Sequence, residues 1–146
     1  MDYRSIFKVL SLIGMTLALF FALDVAVALF YDETVDAMAL FDLLFFLMNG
    51  IIWFRLRSHI VHLKIKESIL TVNILWIFLG IAGAVPLYLY TPITFASAFF
   101  EAISGFTTTG ATIYGDIEHL PRMILFHRSL MHWLGGMGII VLGVGL

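Results

Sequence analysis

Four long apolar runs alternate with short polar connections along this chain, and each run is close to the length of a membrane crossing. The first extends from about Ile6 to Tyr31 and carries one acid, Asp24. The second, about Ala37 to Phe54, contains Asp42 and Asn49. The third, Ile69 to Tyr90, is uncharged, with Gly80, Gly83 and Ala84 forming a small-residue face and Pro86 near its end. The fourth starts at Pro121 and reaches Leu146, with Arg122 and Arg128 early and glycines late. At about 1.5 Å per residue each could cross a hydrocarbon core of about 30 Å, the second only just. The pattern predicts four transmembrane helices.

The segment 91–120 breaks this rhythm. It joins two spans on the outer side, yet Ile93-Thr94-Phe95-Ala96-Ser97-Ala98-Phe99-Phe100 is apolar, which an exposed loop would not be. Thr91 suits a helix cap, Pro92 a first helical position and Gly105 a stop, so a short helix over about 92–104 is expected. About twelve residues would descend about 18 Å, and six extended residues, Thr107 to Thr112, could climb back about 20 Å. The expected fold is therefore all-α: four transmembrane helices, one re-entrant helix and an extended loop. The run Ser104-Gly105-Phe106-Thr107-Thr108-Thr109-Gly110-Ala111-Thr112 is too hydroxyl-rich to face lipid. Irregular backbone at membrane depth survives only inside protein or along water. Carbonyl and hydroxyl oxygens aimed at one axis can replace a cation's hydration shell, and the helix would point its negative end there. Cation permeation is the first functional reading. The rival is an extracellular loop with a threonine-rich turn.

Charge sets the orientation. Arg4 and Lys8 precede the first run, Asp32, Glu33 and Asp36 follow it, and Arg55, Arg57, Lys64 and Lys66 fill the second connection. Lys and Arg accumulate on the cytoplasmic side, so both termini and the basic connection are expected inside. A cleavable signal peptide would also start with Arg4 and Lys8 and end near Ala26-Val27-Ala28, but Asp24 is out of place in one and the run continues to Phe30. Only 12% of residues are charged and 62% are hydrophobic, which argues against a soluble domain. The net charge of −2 gives no reason to expect nucleic acid, and the absence of cysteine removes disulfides and thiolate metal sites.

The remaining chemistry is sparse. Asp24, Asp42 and Arg128 each lie about 8–9 Å below the outer surface by helix rise. Charges at that depth are usually paired or functional, so Arg128 is expected to face Glu101 or one of the aspartates and brace the loop. Snorkelling to the interface is the alternative. His127 and His132 do not share a helix face, and His59 with His62 sit in the basic connection, so haem or metal ligation is not expected. An intramembrane serine protease built on Ser104-Gly105 with His127 or His132 lacks the first glycine of its motif, where Ala102 stands. Gly135, Gly136 and Gly138 read as a close-packing face, or as a loosened helix beside a conduction path. The Lys64-Ile65-Lys66 region could dock a cytosolic regulator, although topology alone accounts for its charge.

Ala98 to Thr112, with Leu120-Pro121-Arg122, Leu125 to Leu130 and Trp133 to Leu142, resembles the membrane subunit of Trk-type potassium transporters, in the Trk/Ktr/HKT superfamily. The resemblance implies four helix–pore loop–helix repeats around one axis, preceded by an extra helical pair. Residues 1–55 would be that pair, 56–68 the cytoplasmic connection, and 69–146 the first repeat, with its pore helix at about 92–104 and filter at 107–112. It further implies that backbone oxygens of Thr108 and Thr109, flanked by Thr107 and Gly110, bind K⁺, with Glu101 and Arg128 as filter support. Neither enzymatic activity nor a cofactor is implied; K⁺ is the transported ion. Expected partners are membrane lipid, the remaining repeats or further copies of the chain, and a cytosolic nucleotide-binding regulatory subunit; the expected location is the inner membrane. Ser97 departs from the family, which often has aspartate there. One repeat supplies a quarter of a filter, so the sequence reads as a piece of a longer transporter, and its final run without a polar flank agrees. A tetramer, or a non-conducting accessory module, is the alternative.

Overall fold

The computed structural model describes residues 2–145, with side chains through Gly138. Five helices follow one another: α1 (Tyr3–Phe30), α2 (Asp36–Leu56), α3 (Ile65–Tyr90), α4 (Phe95–Phe106) and α5 (Arg122–Gly145). Among the described residues there is no strand. Among the described residues three helices, α1, α2 and α3, are long and apolar enough to cross a membrane. α4 is apolar but has only 12 residues. α5 has 24 residues, with Arg122 and Arg128 in its first two turns; the end of the fourth apolar run at Leu146 lies outside the described residues.

The helix starts are closed by specific side chains. Asp2 caps α1 by accepting from the amides of Arg4 and Ser5. The Ser5 hydroxyl, and then His59, hold its carboxyl well below the usual carboxylate range. Lys8 Nζ donates to the carbonyls of Arg57 and His59, which ties the basic connection to α1. At the opposite end the Tyr90 hydroxyl accepts from the Met38 amide, 2.9 Å away, in the first turn of α2. Glu33, in the turn after α1, accepts from the amides of Arg122 and Met123 at 2.6 and 3.0 Å and closes α5. A carboxylate suits a helix N-terminus because it meets both unbonded amides and the positive end of the dipole.

α1 packs along α2, and α4 sits between α3 and α5. Lipid removes the hydrophobic incentive for helices to associate, so small residues that admit a neighbour closely set these contacts. Gly14 faces the amide of Asn49 on α2, whose Nδ2 donates to the Phe45 carbonyl. Gly80 faces Phe99 and Ile103 of α4, and Gly83 faces Phe106 and Met131. At Gly135 an added Cβ would run into the backbone carbonyl of Phe106, so only glycine lets α5 cross the lower end of α4. The packing reading of these glycines fits; nothing lies within 4 Å of a Cβ at Gly138.

The start and stop of the short helix differ from expectation. Thr91 closes α3, its hydroxyl donating to Leu87 O at 2.6 Å, and Thr94 caps α4 by accepting from the Ser97 amide. Gly105 lies inside α4, pressed against Met131, because the helix continues to Phe106 and turns at Thr107-Thr108. Two candidate cap threonines flank Pro92-Ile93, and the sequence does not rank them.

Candidate ion-path loop and its supports

The loop leaving α4 is built by the helix's own unfinished hydrogen bonds. The amides of Thr107, Thr108 and Thr109 donate back to the carbonyls of Ile103, Gly105 and Ser104, each at 2.9 Å. Satisfying those orphan carbonyls needs a left-handed residue after the helix, and Thr108 takes that place with φ 56°. A β-branched residue is strained there, a cost of order 1–3 kcal/mol. Gly110 follows with φ 76°, where no side chain opposes the conformation. The run is thus a turn at Thr107-Thr108 and irregular chain from Thr109, not six extended residues.

The amides of Thr107, Thr108 and Thr109 are spent on α4, and the carbonyls of Thr107, Thr108, Thr109 and Gly110 accept no hydrogen bond among the described residues. Thr108, Thr109 and Gly110 are exposed, and Thr107 is half-buried. The Thr107 hydroxyl donates to Ile103 O at 2.7 Å, so the Thr109 hydroxyl, 2.8 Å away, is the donor between the two. The loop thus leaves four consecutive carbonyl oxygens without a donor among the described residues, at an exposed turn.

Glu101, 3% exposed, holds the far side of the loop. Its carboxylate accepts from Thr112 Oγ1 and from the Ile113 amide at 3.0 Å. Arg128 meets the same carboxylate from α5, Nε at 2.8 Å and a terminal nitrogen at 2.7 Å from Oε1. Of the three carboxylates the sequence offered to Arg128, the structure brings it Glu101. The guanidinium also lies 5.6 Å above the Tyr114 ring, whose hydroxyl bonds Thr91 Oγ1 at 3.0 Å. Charge-assisted bonds to a carboxylate with both oxygens occupied make a stiff support. Ser104 adds a bond to Ala111 O at 2.6 Å, reaching into the loop rather than staying within the helix end. No histidine is hydrogen-bonded to Ser104 among the described residues.

A family model described as cation transport protein, TrkH, matches residues 36–145. The chain belongs to the TrkH family. It is 39% identical over 153 residues to the Trk system potassium uptake protein TrkH of Vibrio parahaemolyticus, covering 100% of this chain and 31% of that protein. To the Trk system potassium uptake protein TrkG of Escherichia coli K12 it is 35% identical over 123 residues, covering 82% of this chain and 25% of that one. The crystal structure of the potassium transporter TrkH from Vibrio parahaemolyticus superposes with a TM-score of 0.88 at 34% identity, over 99% of this chain and 32% of that one. The TrkH-family chain thus spans about a quarter to a third of the length of those relatives.

Sequence reasoning missed one pairing in this TrkH-family fold. Asp24 does not reach toward the interface; it is fully buried, and its Oδ2 lies 2.6 Å from His127 Nδ1. His127 is equally buried, and its Nε2 lies 3.0 Å from the carbonyl of Gly83 on α3. No local signal pointed to this pairing: Pro86 on α3 deprives Ala82 O, not Gly83 O, of its helical donor. His132 instead donates Nδ1 to the Arg128 carbonyl at 2.8 Å. Asp42 is half-buried beside a cleft of about 300 Å³ between α1 and α2, with Oδ1 unpartnered among the described residues. No group of three or more metal-ligating side chains occurs among those residues.

Proposed function

We propose that this chain is the extra helical pair and first pore repeat of a membrane subunit for potassium uptake. α1 and α2 form the pair, and α3, α4 and α5 the repeat, with α5 as a fourth span. α4 is then the re-entrant pore helix, and Thr108 and Thr109, flanked by Thr107 and Gly110, line the filter. The observation that carries this reading is the four consecutive carbonyls at 107–110 that accept no hydrogen bond among the described residues, those of Thr107 and Thr108 in peptides whose N–H bonds back to α4. A dehydrated K⁺ is held by such oxygens when several repeats converge on it. Glu101 and Arg128 keep this loop rigid. Basic residues place both termini and the 56–68 connection on the cytoplasmic side, where a regulatory subunit would dock. Assembly with the remaining repeats completes the axis, since a single repeat supplies one side of it.

The test is K⁺ uptake in a potassium-dependent strain by a complete transporter carrying this segment. Gly110→Ala keeps space but forces a Cβ into a left-handed conformation. Uptake should fall at least about tenfold, with normal amounts of protein in the membrane. Unchanged K⁺ affinity and rate would discard the filter assignment. Rescue by residues 1–146 alone would replace the one-repeat reading with a tetramer.

A further inference from the structure

Asp24 and His127 are both fully buried, on helices 103 residues apart, and Phe21 closes over the imidazole edge-on at 4.8 Å between centroids. Gly83 O can only accept, so His127 Nε2 must carry a proton. The 2.6 Å contact between Nδ1 and Asp24 Oδ2 must then contain a second proton, because two bare lone pairs would repel. Wherever that proton rests, the pair carries no net charge. A hydrogen-bonded pair of zero net charge is what an apolar membrane interior tolerates.

His127 precedes Arg128, and the two side chains leave α5 in different directions. His127 ties α5 to α1 and α3, while Arg128 reaches Glu101 and through it Thr112 and Ile113. We propose that His127 is a positioning residue for the ion path, fixing the rotation of α5 through hydrogen bonds, not charge, so that Arg128 stays on Glu101. The N-terminal hairpin thereby acts on ion selection through Asp24, without touching the ion. This rests on the filter reading of 107–110. The pair lies wholly within α1, α3 and α5, so it needs no other part of a longer transporter.

The experiment measures K⁺ uptake kinetics and preference for K⁺ over Na⁺ in the complete transporter, at matched membrane abundance. His127→Phe keeps a ring and removes both bonds; Asp24→Leu removes one; Asp24→Asn retains a partner for the imidazole without a charge. His127→Phe and Asp24→Leu should each raise the KM for K⁺ about fivefold or more and weaken the ion preference, and the double variant should be no worse than His127→Phe alone. Asp24→Asn should stay within about twofold of the parent. An altered yield with unchanged KM and preference means a merely structural pair and overturns the proposal, as does equal damage from Asp24→Asn and Asp24→Leu. Gly110→Ala is run alongside. If it leaves K⁺ affinity intact, the filter reading fails and this inference with it; if it abolishes uptake while His127→Phe does nothing, only this inference fails.

Discussion

Two neighbouring side chains of α5, His127 and Arg128, place polar groups in an apolar fold by different means. Arg128 brings a permanent charge to Glu101, whose two oxygens together accept from the guanidinium, a hydroxyl and a backbone amide. His127 brings a ring that bonds a carboxyl on one side and a carbonyl on the other, and leaves Asp24 Oδ1 without a partner among the described residues. A buried charge pair stands only with every lone pair occupied, and breaking it strands an ion. The Asp24–His127 bridge can hold its proton on the carboxyl, which a guanidinium pair cannot do, and an uncharged carboxyl tolerates an incomplete shell at less desolvation cost. The loop that needs rigidity is backed by the first kind, and the junction between hairpin and repeat by the second.

Substitutions should separate the two. Arg128→Leu leaves the Glu101 carboxylate buried and uncompensated, and should destabilise the fold by about 3–5 kcal/mol, read from thermal unfolding in detergent. Gly135→Ala attacks the same side through packing, driving a Cβ into Phe106 O, with an expected cost of about 1–3 kcal/mol and a displaced end of α4. His127→Phe removes two bonds of the neutral bridge and strands Asp24, costing about 1–3 kcal/mol by the same measurement. Asp24→Asn should change stability by less than about 1 kcal/mol. If Asp24→Asn proved as costly as Arg128→Leu, the distinction between charged and neutral support would be gone.

The two supports also differ in how far the amino acids announce them. Glu101 and Arg128 were both visible as charges in apolar surroundings, and Glu101 was one of three carboxylates offered to Arg128. Their meeting follows from α4 folding back beside α5. Asp24 was equally visible, but its partner was hidden, because which way α5 faces α1 depends on packing at Gly83, Gly135 and Met131 rather than on any local pattern. The long helices α1 to α3 were legible since hydropathy is a one-dimensional signal. The start of α4 was misplaced because Thr91 and Thr94 are chemically equal caps, and only the bond from Thr91 to Leu87 O assigns Thr91 to α3. The left-handed Thr108 had no signal at all; a glycine would be expected there, and one occurs two residues later.

Glu33 carries a consequence for anyone dissecting this molecule. Because a carboxylate from the α1–α2 turn finishes the beginning of a helix some ninety positions downstream, the hairpin cannot be trimmed away as an ornament. Removing it would bare the amides of Arg122 and Met123 and leave α5 free to fray from its start. A shortened chain starting at α3 would therefore have to be given a replacement acid beside Pro121.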